Sequence, residues 1–455
     1  MTNRQIDPEE TEVEFMERPA WGVVLVVIYA ALILLPLLFA AVLRPDTDHG
    51  FVRELGKSFA LVGIAILALQ AIVAARLRWI ERPFGLDILL RFHKMMAVFA
   101  VVLILFHPVL LAAEGSRWEL LYRLDVPWYI WFGKAALVLL LLQGVTSLFR
   151  EQIRLGFDRW RLLHNQAVII FGLVFIHSLI VGGDLQAPSM RNLWWVMLGA
   201  VVAGYGYHKI VAPARTRGRP YRVTEVKPET HNVWTLSMEP QPGRGRLNYR
   251  PGQFQFIRLW RAQPNLSTEE HHFTIASSPT QTDVQMTIKE SGDFTATIGE
   301  TKPGDLVSIQ GPYGRFSYTL HTQDKHLVFI AGGIGITPLM SMLRHMRATK
   351  ADVDVLLIYG NKTEADIVFR EELERMASHE RGWLQVAHVL SHEDEHWPGE
   401  KGFVDKEKIQ RLVGDGLMDR VYYVCGPAPM ARLVFRALRD LGVPAERITY
   451  ERFWL

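Results

Sequence analysis

The chain has 455 residues, 49% of them hydrophobic and 21% charged, with a mean hydropathy of +0.10 and a net charge of +3. It is too apolar for a wholly water-soluble chain and too charged for one lying entirely in lipid, so two unlike parts are expected, and a bias of +3 gives no footprint for nucleic acid. The single cysteine, Cys425, excludes a disulfide framework, a four-thiolate zinc site and a thiolate-held iron–sulfur cluster.

A tail of residues 1–20 comes first, and its acidic run Asp7–Glu14 argues against a cleaved signal peptide, which needs a basic start. Six apolar stretches follow, at Trp21–Leu43, Phe59–Ala75, Met95–Ala113, Trp128–Phe149, Ala167–Val181 and Leu193–Val211, the second and fifth short of the about 20 residues that cross roughly 30 Å of hydrocarbon. Cations crowd the links after the second, fourth and sixth: Arg76, Arg78, Arg82, Arg91 and Lys94, then Arg150, Arg154, Arg159 and Arg161, then Lys209, Arg215, Arg217 and Arg219. Opposite links carry fewer, namely Arg44, Arg53 and Lys57, then Arg117 and Arg123, then Arg191. The positive-inside bias therefore puts both termini in the cytoplasm of a multi-pass protein spanning residues 21–211.

Within the spans, His93 and His107 are 14 residues apart in the third, and His164 and His177 are 13 apart in the fifth. At 1.5 Å per residue each pair covers roughly 20 Å along its helix, which makes two layers, one near each membrane surface. One histidine from each helix in each layer is the axial pair that a six-coordinate b-type haem needs when no thiolate is available, whereas a zinc tetrahedron cannot span both layers. Thirteen residues do not return to one helix face, so the fifth helix must tilt, distort or offer its histidines at different angles. Arg91, Lys94 and Arg161 stand near the inner layer, either as partners for haem propionates or as positive-inside anchors. Lys134 in the fourth span has two roles open to it, propionate partner or snorkelling lysine.

From Ala212 the composition changes, and Pro213, Arg215, Arg217, Arg219 and Pro220 form a basic, turn-rich linker. Short β-type runs at Tyr221–Val226, Val233–Met238, Gln253–Trp260 and Val284–Ile288 predict a small antiparallel β-barrel over residues 212–321. Strands and helices then alternate: His326–Ala331, a helix after Thr337, Val353–Tyr359, a helix around Glu371–Met376, Leu384–Leu390, Arg420–Cys425 and a last helix from Met430. This predicts a doubly wound α/β domain over residues 322–455.

In the barrel, Pro251-Gly252-Gln253-Phe254 precedes His271-His272-Phe273-Thr274-Ile275-Ala276-Ser277, and Gly292-Asp293-Phe294-Thr295 follows at a probable helix start. A planar isoalloxazine needs an apolar wall and hydroxyl donors, and a glycine turn at a helix start leaves amides free for pyrophosphate. These motifs resemble the flavin domain of the ferredoxin–NADP reductase superfamily, which implies FAD held by Phe254, His271, Phe273, Thr274, Ser277, Gly292 and Thr295. The first α/β strand runs into Gly332-Gly333-Ile334-Gly335-Ile336-Thr337-Pro338, and Cys425-Gly426-Pro427 ends a later strand, where α/β folds bind ligands. Both are similar to the superfamily's nicotinamide half, implying NADPH or NADH bound by Gly332, Gly333, Gly335, Thr337, Pro338, Gly426 and Pro427, with Cys425 beside the nicotinamide. Lys362, after the second strand, is a cation for a 2′-phosphate. A terminal aromatic covers the flavin in this superfamily, which points first to Phe453 and then to Trp454.

Taken together, the chain resembles a bacterial member of the NADPH oxidase and ferric reductase superfamily. His272 departs from the proline that the oxidases usually carry before Phe-Thr, which loosens the oxidase assignment but not flavin binding. The resemblance implies a membrane protein with a six-helix transmembrane bis-haem bundle followed by an antiparallel β-barrel FAD domain and a doubly wound α/β nicotinamide-binding domain, in a bacterial inner membrane. It implies electrons passing from cytoplasmic NAD(P)H through FAD and two b-type haems, His93 with His164 at the inner one and His107 with His177 at the outer, to an acceptor outside. O2 giving superoxide is the first acceptor and a ferric chelate the second. A transporter with an appended sensor domain is a third reading, which leaves the histidine layers without a purpose. The sequence leaves the oligomeric state open.

Overall fold

The computed structural model describes residues 19–43, 50–263, 266–378, 382–392 and 397–451, so the acidic tail, Arg44, Phe453 and Trp454 lie outside the described residues. The chain divides into two compact units, Met1–Pro213 and Ala214–Leu455.

The main helices of the first unit are α1 (Pro19–Leu43), α2 (Phe51–Val73), α3 (Leu86–Ala113), α4 (Trp128–Leu148), α5 (Phe157–His164), α6 (Ala167–Val181) and α7 (Pro188–Gly206). Five stretches are long and apolar enough to cross a membrane: α1, α2, Leu86–Ser116, α4, and Arg159–Val181, which joins most of α5 to α6. The expected sixth span forms α7, continued by a π-helical turn at Tyr207–Val211, yet it stands outside this set because Arg191 and Asn192 near its start lower its hydropathy. Large apolar side chains such as Val23, Leu38, Phe99, Val138, Leu142 and Val196 are exposed on these helices, the arrangement expected where lipid rather than water surrounds a bundle. Glycine controls how closely the helices approach. A Cβ on Gly63 of α2 would stand 2.6 Å from Ile104 of α3, and one on Gly56 would stand 3.1 Å from Leu110.

The second unit has two six-stranded sheets. The first is antiparallel, in the order β4 (Glu270–Thr274), β3 (Phe254–Trp260), β6 (Leu306–Tyr313), β1 (Tyr221–Thr230), β2 (Val233–Pro240) and β5 (Val284–Lys289). Strand pairing leaves β4 and β5 as edges, and just past β4 the Ala276 amide donates to the Gln285 carbonyl at 2.8 Å, bridging the gap that a closed barrel would fill. The second sheet is parallel throughout, in the order β10 (Glu400–Lys401), β9 (Leu384–Leu390), β8 (Asp354–Asn361), β7 (His326–Gly332), β11 (Val421–Cys425) and β12 (Ile448–Glu451). Both its faces are covered, which suits near-continuous apolar strands. Leu327, Phe329 and Ala331 pack toward α8 (Ile336–Thr349) and α9 (Arg370–Ala377), while Val328 and Ile330 pack toward α10 (Lys406–Val413) and α11 (Ala428–Asp440).

Arg344 of α8 ties the two sheets together. Its guanidinium donates to the Ala276 carbonyl and to Gln285 Oε1, both at 2.9 Å, and to both carboxylate oxygens of Glu372 at 2.9 and 2.6 Å. Ser341, one turn earlier, donates to the Ser277 carbonyl at 2.6 Å.

Candidate functional site

The four histidines are half-buried in the first unit. His93 on α3 and His164 at the end of α5 face each other with ring centroids 6.0 Å apart and planes at 73°. Two imidazoles on opposite sides of one iron, each with a nitrogen at about 2 Å, have ring centres roughly 6 Å apart, so this pair fits a bis-histidine haem. The awkward spacing of 13 has a local cause: Asn165 and Gln166 form a turn between α5 and α6, resetting the helical phase between His164 and His177.

Axial histidines commonly hold their second nitrogen in a hydrogen bond, which fixes the tautomer. His107 Nδ1 is 3.0 Å from the Gly56 carbonyl of α2, and His177 Nδ1 is 2.9 Å from the Tyr129 carbonyl of α4. Carbonyls only accept, so both rings donate from Nδ1 and keep the Nε2 lone pair for a ligand bond. Close helix approach makes this possible, since a Cβ on Gly133 would stand 2.8 Å from the His177 ring. His164 instead meets a side chain, Gln143 of α4, at 3.3 Å from Nδ1, and Trp160 stacks on its ring with centroids 5.0 Å apart. His93 Nδ1 is buried without a partner among the described residues. Among the described residues no cluster of three or more histidine, cysteine or carboxylate side chains could hold a metal ion.

Lys134 is satisfied locally, donating to the carbonyls of Arg123 at 2.6 Å and Leu121 at 3.5 Å, which is the snorkelling arrangement. Arg91 is engaged by Asp87 at 2.9 Å. Gly56, Tyr129, Gly133 and Gln143 escape sequence reasoning. The signal for Gly56, Gly133 and Gln143 is only that a glycine or an amide interrupts a helix, and Tyr129 gives none.

In the second unit, strand alternation sorts the expected flavin residues onto two faces. His271 and Phe273 share one face of the edge strand β4 and form a near-parallel ladder with Phe294, the His271 and Phe294 rings being 4.0 Å apart and 22° from parallel. This row forms a flat wall of rings along the edge strand. Phe254 pairs across strands with Thr274 and lies on the other face, in a cluster with Phe256, His272 and Tyr313. Ser277 stands behind the wall, fully buried, its hydroxyl bonded to Tyr249 at 2.8 Å and to the Gln285 amide at 2.9 Å. Burial pushes the Tyr249 phenol up to about 12, so it stays protonated. At the Gly292 turn, Thr295 Oγ1 accepts from the Ser291 and Gly292 amides at 2.8 and 2.9 Å, because a threonine at this spacing caps its own turn.

The two nicotinamide motifs meet. β7 and β11 are adjacent parallel strands, with Ala331 opposite Cys425, and lie where the strand order reverses, the usual ligand crevice of doubly wound sheets. A Cβ on Gly335 would stand 2.3 Å from the Cys425 carbonyl oxygen, and one on Gly426 3.0 Å from the Gly332 nitrogen, so the two motifs pack backbone to backbone. Gly333 has φ +51° and open space where its Cβ would be, leaving backbone accessible to a ligand. Tyr359 of β8, absent from the expected set, donates to the Gly333 carbonyl at 3.0 Å and pins the turn. Thr337 and Pro338 are buried in the start of α8, the threonine hydroxyl bonded to the Ile334 carbonyl at 3.0 Å, so they shape the turn from beneath. Gly426 is buried and Pro427 exposed. Cys425 is fully buried, and burial together with Glu451 drives its thiol well above the ordinary range, so it presents a neutral thiol. Lys362 is exposed, beside a buried Asn361.

Three family models match in succession. Residues 59–199 match a ferric reductase like transmembrane component, residues 220–317 an FAD-binding domain, and residues 329–435 an oxidoreductase NAD-binding domain. Curated relatives include NADH-cytochrome b5 reductase 1 of Mycosarcoma maydis, 31% identical over 40% of this chain and 54% of that protein. Another is the reductase component of propane 2-monooxygenase from Mycolicibacterium smegmatis, 29% identical over 51% of this chain and 66% of that protein. The chain thus spans about half to two thirds of these relatives. Among solved structures, the FAD/NAD-binding domain of a Vibrio cholerae nitric oxide dioxygenase is similar over 51% of this chain and 97% of that one, with 22% identity and a TM-score of 0.46.

Proposed function

We propose, from the premise that the chain belongs to the NADPH oxidase and ferric reductase superfamily, that this NAD(P)H-dependent oxidoreductase is a transmembrane oxidase. In this reading it moves electrons from cytoplasmic NAD(P)H across a bacterial inner membrane to O2, producing superoxide. The observation that carries it is the 6.0 Å facing pair His93 and His164, a distance suited to one haem iron between them. FAD would supply the conversion from a two-electron donor to one-electron carriers, and two b-type haems would supply those carriers.

The chain's own residues divide the remaining work. His107 and His177 hold the outer layer with Nδ1 bound and Nε2 left for iron. His271, Phe273 and Phe294 offer the flavin a flat wall, and Gly332, Gly333, Gly335 and Gly426 let a dinucleotide approach backbone. Cys425 as a neutral thiol packs beside the nicotinamide without competing as a nucleophile. Phe453, then Trp454, is the proposed cover of the flavin. The match to a ferric reductase like transmembrane component favours a second acceptor, a ferric chelate, at the same outer edge.

The test is an anaerobic spectrum of detergent-solubilised protein supplied with FAD, before and after NADPH. Two low-spin b-type haems per chain, reduced by NADPH, support the reading, and well-folded protein without haem overturns it. Admitting air then separates the acceptors: superoxide assigns the oxidase, and reoxidation by ferric chelate without superoxide assigns the reductase.

A further inference from the structure

Gln143 is a lone amide in the run Leu139-Leu140-Leu141-Leu142-Gln143, within a membrane span where a polar side chain is costly unless it has a task. Its Nε2 lies 3.3 Å from His164 Nδ1, while its Oε1 is buried with no partner among the described residues. Oxygen and nitrogen of an amide are interchangeable in shape, and their placement follows from the hydrogen-bond network. Exchanging them aims the amide oxygen at His164 Nδ1 and places the NH2 where the oxygen now stands; this arrangement lets Nδ1 carry the proton, as it does in His107 and His177, and keeps Nε2 for a ligand bond. One turn further along α4, Ser147 accepts from Trp160 Nε1 at 3.1 Å, and Trp160 stacks on His164. Two successive turns of α4 therefore hold the ring, one by its edge and one through the indole on its face.

We propose that Gln143 is a positioning residue whose amide oxygen fixes His164 as the Nδ1–H tautomer and thereby tunes the redox midpoint of the inner haem. The proposal rests on the reading of His93 and His164 as axial ligands. A hydrogen bond accepted from Nδ1–H makes the imidazole a stronger donor to iron and favours the oxidised state. Of the four histidines, His164 alone among the described residues takes this bond from a side chain, so it alone can be retuned by substitution; His107 and His177 use backbone carbonyls, and His93 Nδ1 has no partner among the described residues.

The experiment is a potentiometric titration of the full-length haem-loaded protein, wild type beside Gln143→Leu and Gln143→Glu, with the inner component assigned by repeating it on His107→Leu. Gln143→Leu should raise the inner midpoint by an amount equivalent to about tenfold in the reduction equilibrium, about 59 mV for one electron, with the outer midpoint unmoved. Gln143→Glu keeps an acceptor oxygen and should sit at or below the wild-type value, which a merely structural role does not explain. Two haems with an inner midpoint unchanged in both variants overturn the inference and leave the proposed function standing. No haem in folded wild-type protein overturns both. Should Gln143→Leu fail to fold, Gln143→Glu and Gln143→Asn, whose shorter amide withdraws the acceptor, carry the test, and an unmoved midpoint in Gln143→Asn counts against it.

Discussion

In the N-terminal unit the candidate ligands are side chains carried on helices, whereas in the C-terminal unit the proposed nicotinamide crevice is made chiefly of backbone brought to the ends of two buried strands. The difference follows from the surroundings. A lipid-embedded helix has satisfied its own backbone and can offer only side chains, so each ligand is a separate polar residue needing a partner. Parallel strands end with free amides and carbonyls, so a few glycines at β7 and β11 suffice to open a cradle. Damage should therefore be local and complete in the first unit, but graded and coupled to stability in the second.

The sharpest way to break this comparison is His164→Leu. It should abolish the inner haem and all electron transfer beyond the flavin, while NADPH still reduces FAD at the wild-type rate; pyridine haemochrome content and flavin bleaching check this together, and slowed flavin bleaching would contradict it. Next comes Arg344→Ala. This guanidinium, 9% exposed, binds Ala276, Gln285 and Glu372, and breaking such a buried pair costs about 3–5 kcal/mol. Denaturant unfolding of the C-terminal unit should show that loss with haem spectra unaltered. Gly335→Ala sits between stability and function, because its Cβ would meet the Cys425 carbonyl at 2.3 Å and force two backbones apart. A displacement near 1 Å at a reacting centre costs on the order of 100-fold, so flavin reduction by NADPH should slow by about that factor. An unchanged rate would mean that the two turns do not form the nicotinamide crevice.

How much of this was legible in the sequence depends on whether a residue acts by type or by neighbour. The four histidines stand out because imidazole is rare in lipid-facing helices, and the glycine turn because no other residue fits there. Their partners do not stand out. Gly56 and Tyr129 serve through carbonyls, which every residue possesses, and Gln143 matters only because α5 happens to end opposite it. The break at Asn165 and Gln166 was likewise invisible as a pattern, since each residue tolerates helix well enough and tertiary packing decides. In the sheets, the alternation that separates Phe254 and Thr274 from His271 and Phe273 is inherent in a strand, but the motif as a string conceals it. Ser277 reads as a flavin-binding hydroxyl from its motif, and the packing of α8 on the first sheet buries it.

The smallest effect concerns the one candidate contact in the second unit that belongs to a side-chain charge. Lys362 is exposed at the end of β8, next to the buried amide of Asn361. An exposed ion pair contributes little and is screened by salt, so Lys362→Ala should raise the KM for NADPH about fivefold or less, with the difference vanishing at high ionic strength. The KM for NADH should not move, because only the 2′-phosphate distinguishes the two donors. Steady-state flavin reduction with both donors at low and high salt measures this directly. An equal rise for both would move Lys362 from the 2′-phosphate to the shared pyrophosphate, and the crevice would then have to discriminate its donors, if it does so at all, through the buried amide of Asn361.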